Sequence, residues 1–180
     1  MPPPSGLSCV SRFPTSTQFA DLAPPFRSNA RNFVDARLAA GIGVSVSATL
    51  RPPERAYLMH YAFRIANEAM HPATTPGMRG VDIAWVHRRR DGTADPVKSR
   101  SAAAAMVTAY DIVFRPALTS NHTLGLAIDM TISNDRNKQV SDASGVKKTL
   151  KSASDLHGLG PTYGAHKLAS DPPHWSSDGH

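Results

Sequence analysis

Apolar and polar positions along this 180-residue chain fall into a few clear periods. Leu126, Ile128, Met130 and Ile132 alternate with Ala127, Asp129 and Thr131, the two-residue repeat of a strand whose faces meet different surroundings. Residues 42–48 alternate likewise, with Ile42, Val44, Val46 and Ala48 on one side and Gly43, Ser45 and Ser47 on the other. Helical spacing takes over across 54–70, where Leu58, Tyr61 or Ala62, Ile65 and Ala69 form an apolar stripe behind a Pro52-Pro53 start. Further helices are predicted over 29–40, stopped by Gly41, and over 99–114, with its four consecutive alanines. Residues 81–86 read as another strand, and 163–175 as a last one interrupted by Pro172-Pro173. Ser133-Asn134-Asp135 ends the strand at 126–132, and from there to Ser154 the chain is polar and loop-like, with room for a short hairpin. Strands and helices together, with 15 Pro and 12 Gly, indicate a loop-rich α+β fold.

Composition narrows the class. With 41% hydrophobic and 19% charged residues the chain is globular, and its length suits one domain. Residues 1–28, rich in Pro, Ser and Thr, read as an extension that wraps the surface of a domain spanning 29–180. No segment approaches the roughly 20 apolar residues of a membrane span. Met1-Pro2-Pro3-Pro4 has neither the basic nor the apolar region of a secretory signal, so localisation is not legible. Twenty Lys and Arg against 14 Asp and Glu leave a charge of +6, which favours polyanionic surroundings without choosing among them. Arg88-Arg89-Arg90, beside Asp91-Gly92, reads as a solvated turn. No helix-turn-helix or zinc-finger spacing is present, and no nucleic-acid partner is expected. Cys9 is the single cysteine, so an intramolecular disulfide and a thiolate cluster are both excluded.

The chemistry concentrates in two segments. In Ser120-Asn121-His122-Thr123-Leu124-Gly125-Leu126-Ala127-Ile128-Asp129, His122 stands just ahead of a glycine that can turn the chain sharply. Asp129 then emerges on the strand face opposite Ile128 and Met130, where a half-buried carboxylate needs a partner. In Asp171-Pro172-Pro173-His174-Trp175, a second imidazole is approached through two stiff residues. Two His and one carboxylate form a three-ligand set that leaves a fourth zinc position for water. Asp171, three residues before His174, is placed to act as general base without binding the metal.

These segments resemble the zinc D-alanyl-D-alanine carboxypeptidase and dipeptidase family, which includes phage endolysins cutting between L-alanine and D-glutamate. The pattern S-x-H-x-x-G-x-A-x-D is met at Ser120, His122, Gly125, Ala127 and Asp129, and the second motif at Asp171 and His174-Trp175. The resemblance implies zinc ligation by His122, Asp129 and His174, with Asp171 as base where many members have Glu. It matches Arg51 to an arginine that holds substrate or the developing oxyanion, a position that reads equally as an ordinary surface arginine ahead of a helix; Ser120 and Trp175 are further candidates for the substrate site. Ser120 reads equally as a turn-stabilising hydroxyl, and Trp175 as a core anchor. The implied fold is a small α+β domain, a central antiparallel sheet flanked by helices, with zinc on the open sheet face. The implied substrate is a peptidoglycan stem peptide and the implied oligomeric state a monomer. A phage or prophage origin would account for the absent signal. A zinc-containing wall-binding module with little turnover is the alternative. Among the other histidines, His166 is a lesser candidate for the cleft; His60, His71, His87, His157 and His180 have no supporting context.

Overall fold

A computed structural model describes residues 2–180. Their contacts gather into two compact units, one formed by the chain up to Pro14 with Pro52–Thr119, the other by Thr15–Arg51 with Ser120–His180. The six strands are β1 (Gly43–Ala48), β2 (Ala127–Ser133), β3 (Gln139–Ser141), β4 (Lys147–Thr149), β5 (His166–Lys167) and β6 (His174–Ser176). The four helices are α1 (Phe26–Ala39), α2 (Pro53–Asn67), α3 (Pro96–Ala109) and α4 (Ala153–Leu159). The fold is α+β, and all its strand pairs are antiparallel.

The second unit holds a four-stranded sheet in the order β1-β2-β6-β5, with β3 and β4 pairing separately as the hairpin. Register sets Val44 opposite Ile132, Val46 opposite Met130 and Ile128 opposite Trp175. Directly opposed residues of antiparallel strands point the same way, so these side chains make one apolar face. That face joins Phe26 and Phe33 of α1 and Leu156 of α4 in a single core. The Phe33 ring lies 4.7 Å from that of Trp175 between centroids. Gly41, at φ +71°, ends α1 where the sequence places the stop. On the other sheet face stand Ala127, Asp129 and Thr131, with Ser176 opposite Ala127 and His174 opposite Asp129. Small neighbours leave the Asp129 carboxylate room.

The first unit packs α2 against α3 around Tyr57, Leu58, Tyr61, Ala62, Ile65, Trp85 and Met106. The α2 stripe runs as far as Ile65; the helix ends at Asn67, and Ala69, at φ +55°, lies beyond it and exposed. Residues 1–28 are shared between the units and give each core a buried member, Cys9 in one, Leu22 and Phe26 in the other. No helix among the described residues is long and apolar enough to cross a membrane.

Four elements differ from the periodic reading. Residues 81–86 form no strand: Val81 and Ala84 make only isolated bridges. Ala84 donates to the Pro3 carbonyl at 2.8 Å and accepts from Ser5 N–H at 2.9 Å, and a ladder cannot extend along prolines that lack N–H groups. The third helix begins at Pro96, not residue 99, because the Asp95 side chain caps it by accepting from Lys98 N–H at 2.9 Å. It stops at Ala109, short of 114, where Asp111 turns to φ +55°. The segment at 163–175 splits into β5 and β6. The seven residues of α4 are an addition to the expected elements, started by a capping box in which Ser152 and Asp155 satisfy each other's backbone N–H groups.

Candidate metal centre

Every residue of the two chemical motifs lies in the second unit. His122 is brought to the sheet by a tight loop closed by Leu126 N–H donating to Asn121 O at 2.7 Å. Gly125 makes this loop possible. It adopts φ +70°, and a Cβ there would stand 2.9 Å from Ala23 N and 3.1 Å from Asp21 O. Asp129 arrives from β2 and His174 from the opposed position on β6. A register shift between Val46 and Ala48 sets Ala48 opposite Asp129 on its other side.

Three ligand-type atoms converge. His122 Nε2 lies 3.1 Å from Asp129 Oδ1 and 3.2 Å from His174 Nδ1, and His174 Nδ1 lies 3.0 Å from Asp129 Oδ1. Both imidazoles are buried, and the carboxylate is half-buried. These are the residues that could hold a metal ion together, each offering one atom.

Each ring is held from behind by a backbone carbonyl. His122 Nδ1 donates to Thr49 O at 2.7 Å, and His174 Nε2 donates to His180 O at 3.1 Å. A carbonyl only accepts, so in the neutral rings the hydrogens sit on the far nitrogens. The near nitrogens, His122 Nε2 and His174 Nδ1, then present lone pairs to each other and to a carboxylate oxygen. Such a trio has no hydrogen of its own to share and needs a proton or a cation. The donor set of two imidazoles and a carboxylate fits zinc, with a fourth position left over.

Without a metal, a proton fills the gap. Burial works against the Asp129 carboxylate, but with protons on the near nitrogens, hydrogen bonds from His122 and His174, and their charge, hold its carboxyl well below the usual range. Burial also pulls His174 down, and the hydrogen bonds to Asp129 and the His180 carbonyl, with the charges of Asp129 and Asp171, push it up on balance.

The remaining candidates are distributed around this cluster. Asp171 is exposed in the turn between β5 and β6, where its carbonyl accepts from His174 N–H at 3.1 Å. Lys167 Nζ pins that turn by donating to the carbonyls of Leu168, Asp171 and His174. Arg51 is half-buried, and its backbone N–H donates to His122 O at 3.0 Å. Ser120 acts within the loop: its Oγ accepts from Thr123 N–H at 3.4 Å, while Thr123 Oγ1 donates to Ser120 O at 2.8 Å. Trp175, a candidate for the substrate site or a core anchor, is only 2% exposed and sits in the core, because its place on β6 faces away from Asp129. His166 pairs with Ser176, on the face that carries His174.

Four contributors went unrecognised in the sequence. Thr49 holds His122 by its carbonyl and is itself fixed by its N–H to Ser16 O at 2.7 Å and its Oγ1 to Gln18 O at 3.1 Å. Asn121, Lys167 and Asp178 anchor the neighbouring turns. Thr49 and Lys167 act on or through carbonyls, which leave no residue pattern to read, and Asn121 and Asp178 meet side chain to side chain across 57 residues; Asn121, beside His122, was the one nearest a motif.

No protein-family model matches the sequence, and no curated protein matches it. Among solved structures, the chain is similar to the zinc-bound crystal structure of a mutant VanY, a vancomycin-resistance D,D-pentapeptidase from a VanB-type cassette. Identity is 16% and the TM-score 0.37, over 97% of this chain and 82% of that one.

Proposed function

We propose that this chain is a zinc-dependent peptidase acting on the short D-amino-acid peptides of bacterial cell walls, of the D-alanyl-D-alanine carboxypeptidase or L-alanyl-D-glutamate endopeptidase type. The observation that carries the reading is the convergence of His122 Nε2, Asp129 Oδ1 and His174 Nδ1 within 3.2 Å of one another, with both far ring nitrogens already committed to carbonyls. The motif order around these residues supports the substrate class.

His122, Asp129 and His174 would hold the zinc, which when bound would supply Lewis acidity for the scissile carbonyl and a more acidic water. Asp171, exposed three residues before His174, takes the proton of that water and returns it to the leaving amine. Arg51, tied to the ligand loop through His122 O, pairs its guanidinium with a substrate carboxylate, which favours cleavage next to a free C-terminus. Ser120 keeps the ligand loop closed.

Digestion of purified peptidoglycan with zinc-loaded protein, products identified by mass spectrometry, tests the proposal. Free D-alanine, or fragments ending between L-alanine and D-glutamate, are expected from the intact protein and not from His122→Ala. Zinc-loaded protein that yields no product from walls of several chemotypes would sink the peptidase reading in favour of a zinc-containing binding module.

A further inference from the structure

The atom that holds His174 from behind is a backbone carbonyl in a turn, and the turn is tied down by side chains outside the ligand set. Asp178 Oδ1 gathers three donors: Asn121 Nδ2 at 2.7 Å, Ser176 Oγ at 3.2 Å and His180 N–H at 3.1 Å. Gly179 N–H closes the turn on Ser176 Oγ at 2.9 Å. The second hydrogen of the Asn121 amide goes to His180 O at 2.7 Å, the same oxygen that accepts from His174 Nε2 at 3.1 Å. One primary amide therefore links the loop that carries His122 to the turn that orients His174.

We infer that Asp178 and Asn121 are positioning residues, a clasp that fixes the His180 carbonyl and so turns the His174 ring with Nδ1 toward Asp129 and His122. A ring free to rotate about χ2 would present Nδ1 to the metal only part of the time, and the ordering would then be opposed by entropy at each binding event. Asp178 contributes through the acceptor oxygen Oδ1 that all three donors share. This inference rests on the metal-holding reading above.

The test compares Asp178→Ala, Asp178→Asn and Asn121→Ala by zinc titration and by NMR of the His174 Nε2–H proton, which the carbonyl shields from solvent exchange. Asp178→Ala is expected to weaken zinc binding about 10–100-fold, the usual effect of losing a partner behind a ligand, and to expose the proton. Asp178→Asn keeps an oxygen in place and should keep both properties. Asn121→Ala should match Asp178→Ala, with the double variant little worse than either, because both break one clasp. Wild-type affinity and a protected proton in Asp178→Ala would overturn the inference, as would equal losses in Asp178→Ala and Asp178→Asn. If Asp178→Ala does not fold, Asn121→Ala decides by the same two readouts. A wild-type protein that shows the protected proton but binds no zinc would sink the metal reading while supporting the clasp.

Discussion

Two buried histidines, one in each unit, have opposite fates. His87 is 8% exposed and His122 5%, so burial does not separate them. At His87 the Nε2 atom meets Ser5 O at 3.0 Å and Ser5 Oγ at 3.2 Å, and the backbone N–H meets Ser99 Oγ at 2.9 Å. Nε2 donates to the Ser5 carbonyl, with the Ser5 hydroxyl beside it, so a donor faces an acceptor there. At His122 the Nδ1 atom is similarly answered by Thr49, but Nε2 faces a carboxylate and a second imidazole. What marks a site is the polarity of the partners that face the ring. Acceptors facing acceptors call for a proton or a cation between them; donors facing acceptors do not.

The sharpest way to break this comparison is to remove one histidine from each environment. His174→Ala or His122→Ala should abolish zinc binding, with a loss beyond the ~100-fold that even outer partners can cause. His87→Ala should leave zinc titration unchanged and instead destabilise by roughly 1–3 kcal/mol, through the buried Ser5 carbonyl and hydroxyl left without the ring. Equal zinc affinity in His122→Ala and His87→Ala would erase the distinction.

A smaller effect follows from the proton that stands in for the metal. His174 is raised in the folded protein, so its stabilising contribution is complete below its ordinary value of about 6.5 and disappears as pH rises through the raised one. Asp129 is depressed, so its contribution is present above the ordinary carboxyl range and is lost as pH falls through the folded value. Metal-free protein should therefore lose thermal stability as pH rises above about 6.5 and through the raised His174 value. Zinc must displace the His174 proton, so its apparent affinity should drop by about tenfold per pH unit below the raised value. Calorimetric titrations across that range that release no proton would contradict the arrangement.

The smallest effect sharpens the local reason for the site. Gly125→Ala would force a side chain into φ +70° and against Ala23 N, at a cost of roughly 1–3 kcal/mol. Gly77, where an added Cβ meets nothing within 4 Å, is the control, and Gly77→Ala should change the melting temperature much less. Thermal unfolding of the two variants separates loop strain from any general intolerance of substitution.

The parts of the fold carried by local pattern were legible from the residues. Alternation in β1 and β2 follows from one face meeting the core, and the Leu58-to-Ile65 stripe from the geometry of a helix with one buried side. Asp129 stood out because a carboxylate on a strand must be satisfied, and Gly125 because a sharp entry to that strand needs positive φ. Residues 81–86 misled because apolar alternation promises a strand only if a neighbour can supply a ladder, and the segment beside them is proline. α4 was missed because seven residues are too few to establish a period, and its capping box depends on Asp in place of the more familiar Glu or Gln.

For the site, residue types alone set the chemistry on offer: two imidazoles, a carboxylate, and an acidic residue beside the second imidazole. Only the tertiary structure decided that the two imidazoles and the Asp129 carboxylate meet. The pairing of Asp129 with His174 comes from the register of β2 on β6, across 45 residues of chain. The direction of each imidazole comes from the carbonyls of Thr49 and His180, and every residue has a carbonyl, so no composition or spacing could single out those two. Trp175 makes the same point in reverse: next to His174 in sequence, it faces the core, because adjacent residues of a strand point to opposite sides of the sheet.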